Sequence, residues 1–173
     1  GVSTADCIPV LLYDEEHHAV AAIHAGWRGT LARIVHKTMQ EMAFAYKTEP
    51  KHLKAVIGPG ISMENFEVGD EVYEAFEQAA FPMEKIAAQY PNAVFKANPE
   101  ERERMAAEGN IDQLLKWHIN LPLCNKEILT HCGVMEENIH DCGICTFAHS
   151  DEYFSARKLG TDSGRIYSAI MLK

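Results

Sequence analysis

The chain has 173 residues, of which 47% are hydrophobic and 24% are charged. These fractions are typical of a globular protein, and the length is sufficient for one domain, residues 1–173, with a sizeable core. The net charge of −9 argues against a nucleic-acid or anionic-membrane partner, because such partners require a basic surface.

The sequence also predicts the cellular compartment of the protein. We find no stretch with the length and apolarity of a transmembrane helix, and the first residues do not resemble a signal peptide. The cysteines are odd in number and too sparse for a disulfide scaffold, which predicts a reducing, cytoplasmic location. Cys142 and Cys145 have the spacing of a zinc or redox motif, but no second pair accompanies them and a polar loop follows. We therefore interpret that spacing as incidental. The five cysteines are Cys7, Cys124, Cys132, Cys142 and Cys145.

The pattern of apolar residues predicts the first elements in chain order. Two apolar runs, Ile8–Tyr13 and Ala19–Ile23, flank the polar segment Asp14–His18 and predict an antiparallel hairpin. Apolar residues at three- and four-residue spacing then predict a single helix from Thr30 to about Tyr46.

Short strands and two further helices follow in the prediction. Helices are expected over Glu71–Ala80, with Asp70 as N-cap, and over Leu121–Cys132, with Gly133 just beyond its end. The mixed charge run Glu100–Arg104 indicates an exposed helical face. Strands and helices interleave without strict alternation, so the predicted fold class is α+β (mixed α/β) with mixed sheets. Strands are expected over Leu53–Ile57, Glu67–Val68, Lys116–Asn120, Ile139–Cys142 and Ile166–Leu172.

Cys7 and His24 stand at the two ends of the predicted hairpin. Folding about the turn places Cys7 opposite Ala25 or His24, with Cβ atoms about 5 Å apart if the residues face each other directly. A thiolate and an imidazole at that distance can share a metal ion or act as nucleophile and base. Such residues are commonly structural, but the adjoining strand ends and the glycine-rich turn favour a site.

The turn after His24 reads Ala25-Gly26-Trp27-Arg28-Gly29 and leads from the strand into the helix. Glycine lets a backbone approach a ligand closely, and Arg28 adds a positive charge with bidentate geometry. Together with the free amides at the start of a helix, these groups suit a phosphate or carboxylate beside a metal. The alternative is a tight strand–helix turn with Arg28 on the surface and Trp27 in the core.

The hairpin motifs are accompanied by others along nearly the whole chain, in a specific order. The segments are Ala5–Leu12, His24–Gly29, Ile57–Ile61, Phe66–Val72, Cys145–Thr146, Tyr153–Arg157 and Gly164–Arg165. Together they resemble the laccase-domain family, also called polyphenol oxidoreductase or purine nucleoside phosphorylase, which includes the peptidoglycan editing factors. The resemblance implies packed mixed β-sheets with helices outside. It also implies upstream strands and a metal-binding histidine that no residue here matches, so we expect one laccase-like domain without its N-terminal strands and without a complete metal site.

The resemblance implies a metal-dependent purine nucleoside phosphorylase acting on adenosine, inosine, guanosine or methylthioadenosine with phosphate, and adenosine deamination as a further activity. Cys7 and His24 would bind the metal, which is zinc or alternatively copper. The implied catalytic residues are Cys7, His24 and Arg28, and the implied substrate-binding residues are Gly26, Arg28, Cys145 and Arg157. The partners would be a purine nucleoside and phosphate, without nucleic acid or membrane, and the oligomeric state stays open.

Three other functions remain open at this stage. A laccase-like copper polyphenol oxidase requires ordered histidine clusters, whereas the nine histidines are scattered and only His24 has a convincing setting. A hydrolase acting in peptidoglycan precursor editing could use Cys7 as nucleophile and His24 as base. A non-enzymatic binding domain is favoured if the upstream histidine is absent.

Overall fold

The computed structural model describes residues 1–91, 98–109, 115–160 and 162–173. They form two compact units, Gly1–Ser62 with Leu121–Lys173, and Met63–Asn120. The expectation of a single domain over residues 1–173 stays a prediction. Strands and flanking helices occur together as predicted for an α+β fold. Within the described residues, none of the helices is both long enough and apolar enough to cross a membrane.

The elements are numbered here in chain order. The strands are β1 (Val2–Thr4), β2 (Ile8–Asp14), β3 (Ala19–Ala25), β4 (Leu53–Ile57), β5 (Glu67–Val68), β6 (Ala87–Pro91), β7 (Leu115–Ile119), β8 (Ile139–Asp141) and β9 (Ile166–Ser168). The helices are α1 (Trp27–Leu31), α2 (Ile34–Tyr46), α3 (Asp70–Gln78), α4 (Met83–Ile86), α5 (Pro99–Ala107), α6 (Leu121–His131) and α7 (Ala156–Leu159). Short 3-10 segments lie at Pro50–His52, Met63–Asn65 and Glu136–Asn138.

A mixed four-stranded sheet organises the first unit. Its strand order is β3–β2–β4–β8, with β2 antiparallel to both neighbours and β8 parallel to β4. Successive side chains of a strand point to opposite faces, so Val10 and Leu12 are fully buried on the face toward α2 and α6, whereas Leu11 and Tyr13 are half-buried on the other. A separate antiparallel pair, β1 with β9, completes the strands of this unit.

The second unit contains a three-stranded antiparallel sheet in the order β5–β7–β6, with helices α3 and α4. Phe76 and Phe81 are buried here, with ring centroids 4.9 Å apart. Tyr73 of α3 stacks on Trp117 of β7 at a centroid distance of 3.9 Å. The predicted charge run lies in α5, where Glu100, Glu103 and Arg104 are exposed.

The hairpin forms as predicted, but the predicted position of Cys7 is wrong. Ile8 pairs with Ala25, so Cys7 lies one residue before the paired strand and not opposite Ala25 or His24. The register differs because β2 continues through Asp14, which pairs with Ala19.

The side chain of Asp14 explains this longer strand. Its Oδ1 accepts hydrogen bonds from the backbone amides of Glu16 and His17, at 3.0 and 3.1 Å. An aspartate that satisfies the amides of the following residues closes a tight loop locally. The hairpin therefore turns over residues 15–18 instead of the predicted Asp14–His18.

The predicted helix from Thr30 to Tyr46 is two helices, α1 and α2. Arg33 between them has a left-handed backbone with φ of 54°, which ends the hydrogen-bonding pattern of α1. The apolar spacing continues through this break, so periodicity alone predicted one element. Gly69 is the N-cap of α3 and Asp70 is its first residue, where its negative charge still favours the helix start.

The remaining predictions differ mainly at their ends. Leu53–Ile57 and Glu67–Val68 are confirmed, β7 begins and ends one residue earlier than expected, and β9 ends at Ser168 instead of Leu172. Gly133 has φ of 95°, as expected of a glycine that follows a helix. Strands β1 and β6 and helices α4 and α7 were not predicted.

Candidate functional site

Cys7 and His24 converge on one space beside Gly26. A Cβ placed on Gly26 would lie 2.8 Å from Cys7 Sγ and 3.8 Å from His24 Nε2. Both donor atoms therefore lie within a few ångströms of one point. Gly26 has φ of −70° and ψ of 171°, an ordinary extended conformation, so the absence of a side chain matters here for space and not for backbone freedom.

The two donors fit part of a metal site. A cysteine thiolate and an imidazole nitrogen are the usual ligands of zinc, and copper accepts both. Across the parts of the chain that the structure describes, no group of three or more His, Cys, Asp and Glu side chains is arranged to hold a metal ion. Cys7 and His24 therefore supply two donors without a third from the described residues.

The environment of Cys7 keeps its thiol protonated. Burial raises the pKa of Cys7, the neighbouring Asp6 carboxylate raises it further, and the guanidinium of Arg165 partly lowers it. A cation that binds Cys7 must therefore displace a proton. A raised pKa also works against Cys7 as a free nucleophile, because the thiolate is the reactive form.

Asp6 directly precedes Cys7 and is hydrogen-bonded to the C-terminal segment. It has φ of 77°, a left-handed conformation that aspartate tolerates better than most residues. Its Oδ1 accepts a hydrogen bond from Thr146 Oγ1 at 2.7 Å, and its Oδ2 accepts one from the Arg157 amide at 2.7 Å. Its backbone carbonyl accepts a third from the Ile61 amide at 2.9 Å. Both carboxylate oxygens are thus bonded to groups of the protein.

Cys145 lies in the segment that Asp6 anchors. It is only 9% exposed, it forms a parallel bridge with Gly60, and its Sγ accepts a hydrogen bond from the Ser62 amide at 3.3 Å. Burial alone would raise the pKa of Cys145, but hydrogen bonds from Ser62 and from the amides of Ala148 and Phe147 outweigh it and lower the pKa. The five cysteines, all within the described residues, are free thiols.

The predicted cations occupy different settings. Arg28 is exposed, with its guanidinium 4.1 Å from the ring centroid of the half-buried Trp27. This stacking on an aromatic face holds the charge at the surface, two residues after Gly26 in the chain. The side chain of Arg157 is exposed, while its backbone amide is bound to Asp6. Arg165 donates from Nη1 to the Ser163 carbonyl and, at 3.0 Å, to the Gly164 carbonyl.

Sequence reasoning missed two features of this site. It valued Gly26 for backbone approach, whereas the structure shows that Gly26 leaves room for the Cys7 and His24 side chains. It also gave Asp6 no role, because the partners of its carboxylate lie far along the chain. The local signal was a charged residue directly before Cys7 and the apolar strand that follows.

A groove of about 550 Å³ lies elsewhere on the first unit, on the outer face of the four-stranded sheet. Its floor includes Leu11, Val20 and Val56, and the C-terminal residues Met171 and Leu172 border it. None of the predicted site residues lines this groove, so its volume does not identify the site.

Comparison with known proteins agrees with the resemblance found in the sequence. Residues 1–173 match the family described as multi-copper polyphenol oxidoreductase laccase. This description associates the family with a metal. A purine nucleoside phosphorylase of Bacteroides thetaiotaomicron is 44% identical over 171 residues, which cover 99% of this chain and 56% of that protein. Adenosine deaminase RL5, from an unknown prokaryotic organism, is 38% identical over 173 residues, which cover 100% of this chain and 58% of that protein.

A solved structure shares the fold. The crystal structure of Bacillus licheniformis hypothetical protein YfiH aligns with a TM-score of 0.74 and 25% identity, covering 94% of this chain and 53% of that chain. The mixed sheets with flanking helices are therefore those of YfiH-like proteins. The chain spans a little over half the length of the relatives it matches.

Proposed function

The chain belongs to the multi-copper polyphenol oxidoreductase laccase family, and from this premise we propose that it is a metal-dependent purine nucleoside phosphorylase. The observation that carries the proposal is the convergence of Cys7 Sγ and His24 Nε2 on the space beside Gly26. The name of the Bacteroides thetaiotaomicron relative supports the choice of reaction.

Cys7 and His24 are the metal ligands in this proposal. Zinc is the metal we favour, because thiolate and imidazole together are its common protein ligands, and copper is the alternative. When bound, the metal would act as a Lewis acid that polarises a substrate atom. His24 is exposed and Cys7 is half-buried, so we expect a small molecule to reach both side chains from solvent.

Phosphorolysis breaks the bond between ribose C1′ and the purine nitrogen and forms a bond from a phosphate oxygen to C1′. The departing base takes up a proton, so the products are a free purine and ribose 1-phosphate. Arg28 and Arg157 are the groups we assign to the phosphate, since both guanidinium groups are exposed and bind oxyanions in bidentate fashion. Gly26 keeps the site open, and Cys145 borders the substrate.

Adenosine deamination is the second candidate, and the name of adenosine deaminase RL5 favours it. Cys7 and His24 would also bind the metal for deamination, and water would replace phosphate as the co-substrate. The Cys–His hydrolase is less well supported, because burial and Asp6 raise the pKa of Cys7. A copper polyphenol oxidase would need more metal ligands than Cys7 and His24 provide.

Product analysis tests the proposal directly. The purified protein is incubated with zinc and either adenosine or inosine, with and without phosphate, and the products are separated by chromatography. We expect free base only when phosphate is present, and loss of the activity after treatment with a chelator. Inosine formed from adenosine without phosphate would establish the deaminase instead. Turnover that resists the chelator, or no turnover under any condition, would overturn the metal-dependent phosphorylase.

A further inference from the structure

We propose that Asp6 is a positioning residue that anchors both ends of the segment Thr146–Arg157 beside Cys7, through hydrogen bonds and not through its charge. The inference rests on the proposed function only for what Arg157 binds. The anchoring itself is a property of the fold.

The Asp6 carboxylate is buried, and both of its oxygens are hydrogen-bonded. Asp6 is 8% exposed, and each carboxylate oxygen accepts one hydrogen bond of 2.7 Å. A buried carboxylate is tolerated only when its oxygens are bonded, so these two contacts are required for this side chain to stay where it is. The donors are Thr146 Oγ1 and the backbone amide of Arg157.

These two donors lie at the two ends of one segment of the chain. Thr146 directly follows Cys145, and Arg157 lies in the first turn of α7. The Asp6 carboxylate therefore holds both the first and the last residue of the segment Thr146–Arg157. Cys7 directly follows Asp6 in the chain. A movement of Asp6 would therefore change the position of the Arg157 backbone relative to Cys7.

The backbone of Asp6 is itself bonded to a third part of the chain. Its carbonyl accepts the Ile61 amide at 2.9 Å, and a Cβ on Gly60 would come within 3.1 Å of that carbonyl oxygen. The same Cβ would lie too close to Ile8 Cδ1, so Gly60 permits this close approach. Asp6 thus connects the start of β2, the Gly60–Ile61 turn and the C-terminal segment.

Two substitutions separate hydrogen bonding from charge. In Asp6→Asn, the amide oxygen can accept from the Arg157 amide while the amide nitrogen donates to Thr146 Oγ1, because a hydroxyl both donates and accepts. This variant keeps both contacts and removes the charge. In Asp6→Gly both contacts are lost, but glycine adopts the φ of 77° without strain. Anchoring predicts that asparagine rescues and glycine does not.

The direct test measures hydrogen exchange of the Arg157 amide by NMR in wild-type protein and in both variants. We expect exchange at least about tenfold faster in Asp6→Gly, because one hydrogen bond to a charged group is lost, and exchange within about threefold of wild type in Asp6→Asn. Unchanged exchange in Asp6→Gly would overturn the proposal. Equally fast exchange in both variants would assign the effect to charge and would overturn it as well.

A third variant covers the case in which Asp6→Gly does not fold, as judged by circular dichroism. Thr146→Val removes only the contact to Oδ1, and we expect the Arg157 amide to exchange about threefold to tenfold faster than in wild type. Exchange at the wild-type rate in Thr146→Val, together with an unfolded Asp6→Gly, would count against anchoring.

Kinetics add a readout that a purely structural role would not give. If the protein phosphorolyses nucleosides, Asp6→Gly should raise KM for phosphate about tenfold while kcat stays within about threefold, because Arg157 is misplaced. Equal losses in kcat and kcat/KM would contradict that assignment of Arg157. If wild-type protein has no activity on nucleosides, the proposed function fails while the exchange experiment still decides the role of Asp6.

Discussion

Cys7 Sγ lies 2.8 Å from the point that a Cβ on Gly26 would occupy, closer than real Cβ atoms approach a neighbour. His24 Nε2 lies 3.8 Å from the same point. The backbone of Gly26 is one that alanine adopts readily, with φ of −70° and ψ of 171°. An alanine at this position would therefore keep an ordinary backbone conformation, but its methyl group would push against the Cys7 sulfur beside His24.

Gly26→Ala is expected to weaken zinc binding at least about tenfold, because the added methyl group occupies the space that the metal needs. Isothermal titration calorimetry with zinc measures the affinity. Gly29→Ala is the matched control, since a Cβ there would meet the His24 carbonyl at 3.3 Å and would leave the donor atoms untouched. An unchanged affinity in Gly26→Ala would show that the metal does not bind in this space.

Cys7→Ala and His24→Ala should each abolish stoichiometric zinc binding while the protein stays folded. Each substitution leaves only one of the two proposed ligands, so most of the affinity for zinc should be lost. Metal content after dialysis, measured by mass spectrometry, and circular dichroism provide the two readouts. Cys132→Ala and His140→Ala remove residues of the same types with similar exposure outside the site. Full zinc content in Cys7→Ala or His24→Ala would refute the ligand assignment.

The pKa of Cys145 should lie below that of an ordinary cysteine, and the pKa of Cys7 should lie above it. Hydrogen bonds from Ser62 and nearby amides overcome burial and lower the pKa of Cys145, whereas burial and Asp6 raise the pKa of Cys7. Because the thiolate reacts, the alkylation rate of Cys145 should reach half its maximum at a lower pH than that of Cys7. Peptide mass spectrometry of metal-free protein across pH measures both midpoints. The reverse order would contradict these environments.

Asp14 should stabilise the protein in a pH-dependent way. Burial by itself raises the pKa of this carboxyl, but the nearby Thr48 hydroxyl and the amide and imidazole of His17 outweigh it and lower the pKa. A folded-state pKa below that of the unfolded chain means stabilisation above the unfolded pKa, lost as pH falls through the folded pKa.

Asp14→Asn should accordingly reduce the free energy of unfolding by about 2 kcal/mol at neutral pH, and by less in acid. Urea denaturation of both proteins at pH 7 and pH 3 measures the difference. Asp151→Asn, at an exposed position, should change the free energy of unfolding little at either pH. A difference for Asp14→Asn that stays constant with pH would exclude the carboxylate as its source.

The contact between Asn125 and Thr30 should couple α6 to α1, the helix that begins directly after Gly26. Asn125 is fully buried and donates from Nδ2 to Thr30 Oγ1 at 3.1 Å and to the Leu121 carbonyl at 2.8 Å. Asn125→Ala should lower the free energy of unfolding by about 1–3 kcal/mol, because it leaves buried polar groups unpaired.

A double-mutant cycle with Thr30→Val isolates this contact. The effects of the two substitutions should deviate from additivity by at least about 0.5 kcal/mol in chemical denaturation. Additive effects would mean that the two side chains stabilise the protein independently. Thr38→Val is a suitable reference partner, because Thr38 donates only to the Ile34 carbonyl within its own helix.

Local apolar patterns predicted much of this structure. The hairpin strands and β4 carry apolar runs of strand length, and each was predicted within two residues of its ends. The break at Arg33 was not predictable, because a left-handed residue leaves no trace in apolar spacing. Strand β6, Ala87–Pro91, contains few residues with strand preference and forms through its pairing with β7.

The candidate site was predictable to a similar degree. Cys7 and His24 were identified from their positions at the ends of two adjacent strands, although the register was wrong. The partners of Asp6 were not predictable from any local pattern, because Thr146 and Arg157 are brought to it by tertiary packing. Apolar periodicity indicates the helix or strand that contains a residue, but it gives no information about contacts with residues distant in the chain.

The hydrogen bonds of Asp6 span 140 and 151 positions of the chain. Contacts of such sequence separation form slowly, because most of the chain must become ordered before they can close. The Asp6 carboxylate can make these contacts only after Thr146 and Arg157, which are distant in the chain, have been brought to it. We therefore expect the neighbourhood of Cys7 to be completed late in folding, after the local hairpin of β2 and β3 has formed.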